Sequence, residues 1–174
     1  MKKEKMKPKV TGANGAIFSP DGKYRYLLWR SWDIGGLFDR KEFTGPSLGF
    51  VLLNSSKAGV RINDPTVRRC VGFAKEMGYR RMYLGNLFGM VATYPMELMK
   101  VEDPVGPDNG YWLRWLWDHC GKVVAGWGVY GAYRGRGEAV RNELGVFHIF
   151  GLTKDGYPRH PLYLPKESKV FEWR

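Results

Sequence analysis

Apolar and polar positions alternate along the chain in a way that divides it into short strands and amphipathic helices. "GAIFSPDGKYRYLLWR", Gly15 to Arg30, holds two strand-like runs around Ser19-Pro20-Asp21-Gly22. The proline and glycine suit a tight turn, so a β-hairpin is expected. "LGFVLLN", Leu48 to Asn54, is an apolar run closing on a polar residue, the pattern of a buried parallel strand. Asp64 fits an N-cap and Pro65 the first helical position. Val67, Cys70, Val71, Ala74 and Met77 then recur at steps of three and four, forming one apolar face, and Gly78 sits where such a helix stops.

The pattern continues in the same manner. "RRMYLGN" reads as a second strand ending at Asn86, before a loop and a short helix opened by Pro95. "YWLRWLWDHC" predicts a helix capped by Asp108 or Asn109 and stopped by Gly121, with Trp112, Trp115 and Leu116 as a core stripe. "KVVAGWG" is a third strand, ending at Trp127-Gly128. "YRGRGEAVRNEL" is a basic glycine turn and a short helix, and "VFHIFGL" is a fourth strand. "SWDIGGLFDRKEFTGP", residues 31–46, shows no period and reads as a loop or lid.

Strands alternating with helices predict an α/β fold with right-handed crossovers. The expected architecture is a three-layer α/β/α domain over residues 10–174. It has a central four-stranded, mainly parallel sheet and an added N-terminal β-hairpin. Residues 1–9 read as a flexible basic arm. In such sheets ligands bind beyond the carboxyl ends of the strands. Asn54, Asn86, Trp127-Gly128 and Thr153-Lys154-Asp155 then meet at one rim, with His160 above it.

That convergence defines the candidate chemistry. Asn54 and Asn86 offer uncharged donors and acceptors that can orient a water or pair with an amide-like base edge. His160 can donate a proton or stabilise a developing anion. Asp64, Asp103 and Asp155 are the acidic candidates for a base, Asp155 being adjacent to the rim. Ser55 and Ser56 follow a strand as a nucleophile would, but no Gly-x-Ser-x-Gly elbow is present, so they read as substrate contacts. Lys154, Arg68, Arg69, Arg134, Arg136 and Arg159 are candidates for phosphates. His148 lies within a strand and His119 at a helix end, both structural positions. No His, Cys or carboxylate pairs stand at ligand spacing, so neither a metal nor a cofactor is expected.

Charge and composition narrow the partner. The net charge is +11, of which "MKKEKMKPK" contributes +4, so the remaining chain is itself basic. Aromatic residues make up 15% of the chain, enough for base stacking as well as a core. Nucleic acid, DNA foremost, is the expected partner. The two cysteines lack CxxC spacing, and there is neither a signal peptide nor an apolar run of membrane length. A cytoplasmic protein without a membrane partner is expected, for which a monomer suffices.

Several motifs, taken in order, follow a known pattern. "FSPDGKYRYLLWR", "FVLLNSS", "DPTVRRCVGFAKEMGY", "NLFGMVATYPMEL", "DPVGPDN", "GWG" and "TKDGYPRHPLYLP" resemble the bacterial and phage domain-of-unknown-function 1643 family nearly throughout the chain past residue 15. Two departures stand out. Asn54-Ser55-Ser56 replaces the usual Asn-Pro-Ser, and Lys57-Ala58-Gly59 replaces a Thr-Ala-Asp. More distantly, the order of signals is similar to the uracil-DNA glycosylase superfamily, with "LLNSS", "YLGNLFGMVATYP", "VVAGWG" and "RHPLYLP" as counterparts. That resemblance implies a uracil-DNA-glycosylase-like fold and a DNA glycosylase-like hydrolase acting on a modified or damaged base. Asn54 would position water, Asn86 would read the base edge and His160 would stabilise the departing base. Trp127 or Phe88 would stack on it. The usual Ser after His-Pro is Leu162 here. The alternatives are a non-catalytic DNA- or base-binding module of the same fold and an enzyme acting on a free modified nucleotide.

Overall fold

The computed structural model describes residues 7–32, 45–56 and 62–174. Residues 33–44 of the lid candidate, Lys57-Ala58-Gly59 and residues 1–6 of the arm lie outside the described residues. Lys7, from the end of the arm, ion-pairs with Asp108 and lies over the ring of Tyr111.

Among the described residues seven strands form one mixed sheet. They are β1 (Asn14–Phe18), β2 (Arg25–Ser31), β3 (Ser47–Ser55), β4 (Arg81–Val91), β5 (Lys122–Ala125), β6 (His148–Ile149) and β7 (Phe171–Glu172), arranged β1-β2-β4-β3-β5-β6-β7. β3 runs parallel to both β4 and β5, and β5 parallel to β6. The hairpin and β7 join antiparallel. The fold is therefore α/β, but the sheet is larger and more mixed than the four-stranded one expected. The hairpin is not appended to the sheet. β2 pairs with β4 from Leu28 opposite Leu84 to Ser31 opposite Arg81, which extends the sheet. β7 has two residues, too few to show any period in sequence.

Alternation along β3 builds two cores. Leu48, Phe50 and Leu52 share one with Val67, Cys70, Phe73 and Ala74 of α1 (Pro65–Glu76). Val51 and Leu53 share the other with α2 (Asn109–His119) and α3 (Arg136–Leu144). α1 begins as its sequence predicts, with the Asp64 carboxylate accepting the Val67 N–H at 2.7 Å. Phe73 takes the buried place expected for Val71 and packs on Phe150 at 4.4 Å. On the other face α2 comes very close to the sheet. A Cβ on Gly49 would stand 2.8 Å from Leu116, and one on Gly85 2.9 Å from Leu113.

β4 continues past Asn86 to Val91, where the sequence predicts a loop. The extension is tertiary in origin. Asn54 pairs with Phe88, the Val91 N–H donates to Lys23, and the Ala92 N–H donates to Ser55. Asn86 is thus inside a strand, opposite Leu52, rather than at its end.

Candidate functional site

A cavity of about 530 Å³ opens beside α1 at the carboxyl ends of β3 and β5. Asn54, Asn86, Trp127, Gly128 and His160 line it, as does Ser56. Local geometry explains how distant segments reach it. Gly128 adopts φ 66°, ψ −167°, a conformation open essentially to glycine alone. Its N–H donates to the Pro158 carbonyl at 2.9 Å, tying the end of β5 to the loop that carries His160. Pro161 seats on Gly126, where an added Cβ would stand 2.7 Å from the proline ring. Arg69 donates to the Leu164 carbonyl and fastens the far side of that loop to α1.

The two carboxamides are oriented by their neighbours. Asn54 Nδ2 donates to the Ala92 carbonyl at 2.9 Å and the Ser55 carbonyl at 3.3 Å. Its Oδ1 therefore remains as the acceptor. Asn86 is buried, and its Nδ2 donates to Ser55 Oγ at 2.9 Å while that hydroxyl donates to the Arg25 carbonyl at 2.8 Å. Among the described residues Asn86 Oδ1 has no hydrogen-bond partner. A buried acceptor left without a donor is costly, so this oxygen suits a ligand N–H. From behind, Asn109 Nδ2 donates to the Asn86 and Leu87 carbonyls, each at 3.0 Å, and holds the strand in place.

Electrostatics decide the role open to His160. Its Nδ1 accepts the Leu162 N–H at 3.3 Å, which assigns the ring proton to Nε2. Burial pulls its pKa down to about 4, against the opposing pull of Asp64. At neutral pH it is an uncharged hydrogen-bond donor, not the general acid the sequence allows. Arg25 is buried in the cavity wall, where its Nη1 donates to the Ser56 carbonyl at 3.2 Å. Burial lowers its pKa to about 10, with Asp64 acting in the opposite direction, so it stays cationic. Asp64 also lines the cavity and accepts a hydrogen bond from Ser56 Oγ.

Not every candidate reaches the cavity. Ser55 is fully buried beneath it and orients Asn86 instead of facing a ligand. Phe88 is sealed in the α2-side core, 5.7 Å from the Tyr133 ring. Lys154 and Asp155 are exposed on a turn closed by the Gly156 N–H to the Thr153 carbonyl at 3.0 Å, away from the lining. Asp103 accepts the Val105 and Gly106 N–H groups. Of the arginines proposed for phosphates, Arg159 lines the cavity, and it is exposed. Arg68 donates to the Asn63 carbonyl, Arg134 to Glu102 and Arg136 to Leu87.

Sequence reasoning missed Arg25, Tyr130 and Tyr163 in the lining. Arg25 leaves one trace, a charge at the head of the run "RYLLW", whose residues are all buried. Among the described residues no group of three or more His, Cys, Asp or Glu could hold a metal ion, and no helix is long and apolar enough to cross a membrane. No curated protein and no solved structure matches the chain significantly. The model of the family "Protein of unknown function (DUF1643)" matches residues 25–162, most of the chain, and the protein belongs to that family.

Proposed function

We propose that this protein processes nucleobases, as a DNA glycosylase-like hydrolase that cleaves the N-glycosidic bond of a modified or damaged base in DNA. The observation that carries the reading is that Asn54, Asn86 and His160, from three remote segments, line one cavity with Asp64. Their order along the chain, similar to that of the uracil-DNA glycosylase superfamily, supports the same conclusion and a related fold.

The reaction needs a positioned water, a base for its proton and a stabilised leaving group. Asn54 Oδ1 accepts a hydrogen bond from the water. The water oxygen bonds to the sugar C1′ as the C1′–N bond breaks, and the bonding pair leaves with the base. Asp64 takes the water's proton. The departing base carries negative charge on its ring nitrogen and exocyclic oxygens. His160 Nε2–H donates to such an oxygen without itself changing charge, and Arg25 supplies positive potential from the wall. Asn86 Oδ1 accepts an N–H of the base.

DNAs carrying a panel of modified bases, scored for abasic sites, test this directly. The wild type should release at least one base. Asn54→Ala and His160→Ala should each lower release at least about a hundredfold while the protein stays folded. Absence of abasic product on the whole panel, or full activity in both variants, overturns the proposal.

The cavity volume supports a second reading, because it lies in the range that encloses a whole small ligand. On that reading the substrate is a free modified nucleotide. Affinity for DNA that falls steeply with salt favours the polymer, whereas a flat dependence favours the nucleotide.

A further inference from the structure

The mouth of the cavity has a composition that its interior chemistry does not use. Tyr163 is 78% exposed although it lines the cavity, and its ring centroid lies 5.7 Å from that of His160. Across the lining, Val129 and Tyr130 are 43% and 40% exposed. Tyr94, 67% exposed, stands between Thr93 and Pro95, which both line the cavity. Large aromatic side chains normally bury most of their surface. Three tyrosines from separate segments are thus well exposed, Tyr130 and Tyr163 in the lining and Tyr94 next to it. Arg159 adds a cation in the same lining, on a chain with a net charge of +11.

We infer that this tyrosine rim is a stacking platform for single-stranded DNA. It would hold the unpaired bases that flank the nucleotide entering the cavity, while Arg159 meets their phosphates. The inference rests on the reading of the protein as acting on a base within DNA, and it names the form of that DNA. The physical reason is access. Every base has two π faces, and in a duplex both are covered by neighbouring pairs. A ring exposed at a cavity mouth can stack only on a base that has lost a neighbour. Phosphate contacts alone would not discriminate the two forms in this way, since both carry them. Exposed aromatics beside a cation offer a polymer what a free nucleotide cannot exploit, namely contact with the bases on either side.

Fluorescence anisotropy with the full chain tests the idea. The probes are a labelled mixed-sequence oligodeoxynucleotide of about a dozen nucleotides, the same sequence as a blunt duplex, and a mononucleotide as competitor. The single strand should bind at least about tenfold more tightly than the duplex, and the mononucleotide should compete poorly. Tyr163→Ala and Tyr130→Ala should each weaken single-strand binding about tenfold and leave duplex binding unchanged. Tyr163→Phe, which keeps the ring, should bind as the wild type does. Both positions are exposed, so the variants should fold, and circular dichroism checks this. Equal affinity for single strand and duplex, or alanine variants that bind like the wild type, overturns the inference. The two proposals fail separately. Stacking-dependent single-strand binding without base release overturns hydrolysis alone, and base release without strand preference overturns the platform alone.

Discussion

The two faces of the sheet solve different problems with the same strands. On the α2 face the sheet is sealed. Gly49 and Gly85 let Leu116 and Leu113 descend onto it, and Trp112 and Phe147 fill the space around them. On the α1 face the apolar layer of Leu48, Phe50, Leu52 and Leu84 gives way, toward the carboxyl ends, to Asn86, Asn54 and Arg25. Both faces contain a buried asparagine whose Oδ1 lacks a partner among the described residues, Asn109 on one side and Asn86 on the other. Only Asn86 lines the cavity. The contrast teaches that of two unpaired buried oxygens only the one beside open space is within reach of a ligand. Asn109 instead uses its Nδ2 to hold two strand carbonyls.

The sharpest break of this contrast is at Gly49. Gly49→Val places a Cβ 2.8 Å from Leu116 and 3.1 Å from both Cys120 and Val123. Because helix and sheet are already in contact, the change should cost roughly 3 kcal/mol, read by urea denaturation. A cost below about 1 kcal/mol would mean that the α2 face is not closely packed.

A second test uses pH on the open face. His160 has a folded-state pKa of about 4, below the value of about 6.5 expected unfolded. The unfolded chain therefore binds the proton more readily. The stability linked to this histidine is complete above pH 6.5 and is lost as pH falls through about 4. Between pH 7 and pH 4.5 the wild type should lose about 2–3 kcal/mol that His160→Gln does not. Identical pH profiles for the two proteins would show that the ring is not desolvated by its loop. Base release should also stay level from pH 7 to pH 6, since the imidazole is already neutral there.

The smallest effect belongs to the turn beyond the rim. Asp155→Asn and Lys154→Ala should change base release by less than about twofold and stability by less than about 0.5 kcal/mol. A large loss of activity at Asp155 would return the catalytic base to that turn and displace Asp64.

Residues whose role depends on near neighbours were legible in sequence. Asp64 and Pro65 mark a helix start because a carboxylate three residues before a free N–H caps it whatever lies elsewhere. The hairpin was legible because Ser19 to Gly22 closes on itself, the Gly22 N–H donating to Ser19 at 2.9 Å. Asn54, near the end of an apolar run, lines the cavity. Asn86 was found for a reason that did not hold, since its strand continues through partners supplied by Lys23 and Ser55. Phe88 lies in the core and Asp155 in solvent, because packing of distant segments decides which positions near a rim face the cavity.

The linear pattern of this chain determined that it is α/β and where its main helices start, because both are set by contacts within a few residues. Only the tertiary structure decided that the hairpin widens the sheet, that Arg25 enters the cavity wall and that Ser55 turns inward to orient Asn86. Those outcomes depend on pairings between segments some thirty residues or more apart, as with Ser55 and the Arg25 carbonyl. The free energy of such pairings comes from surfaces that exist only once the sheet has formed.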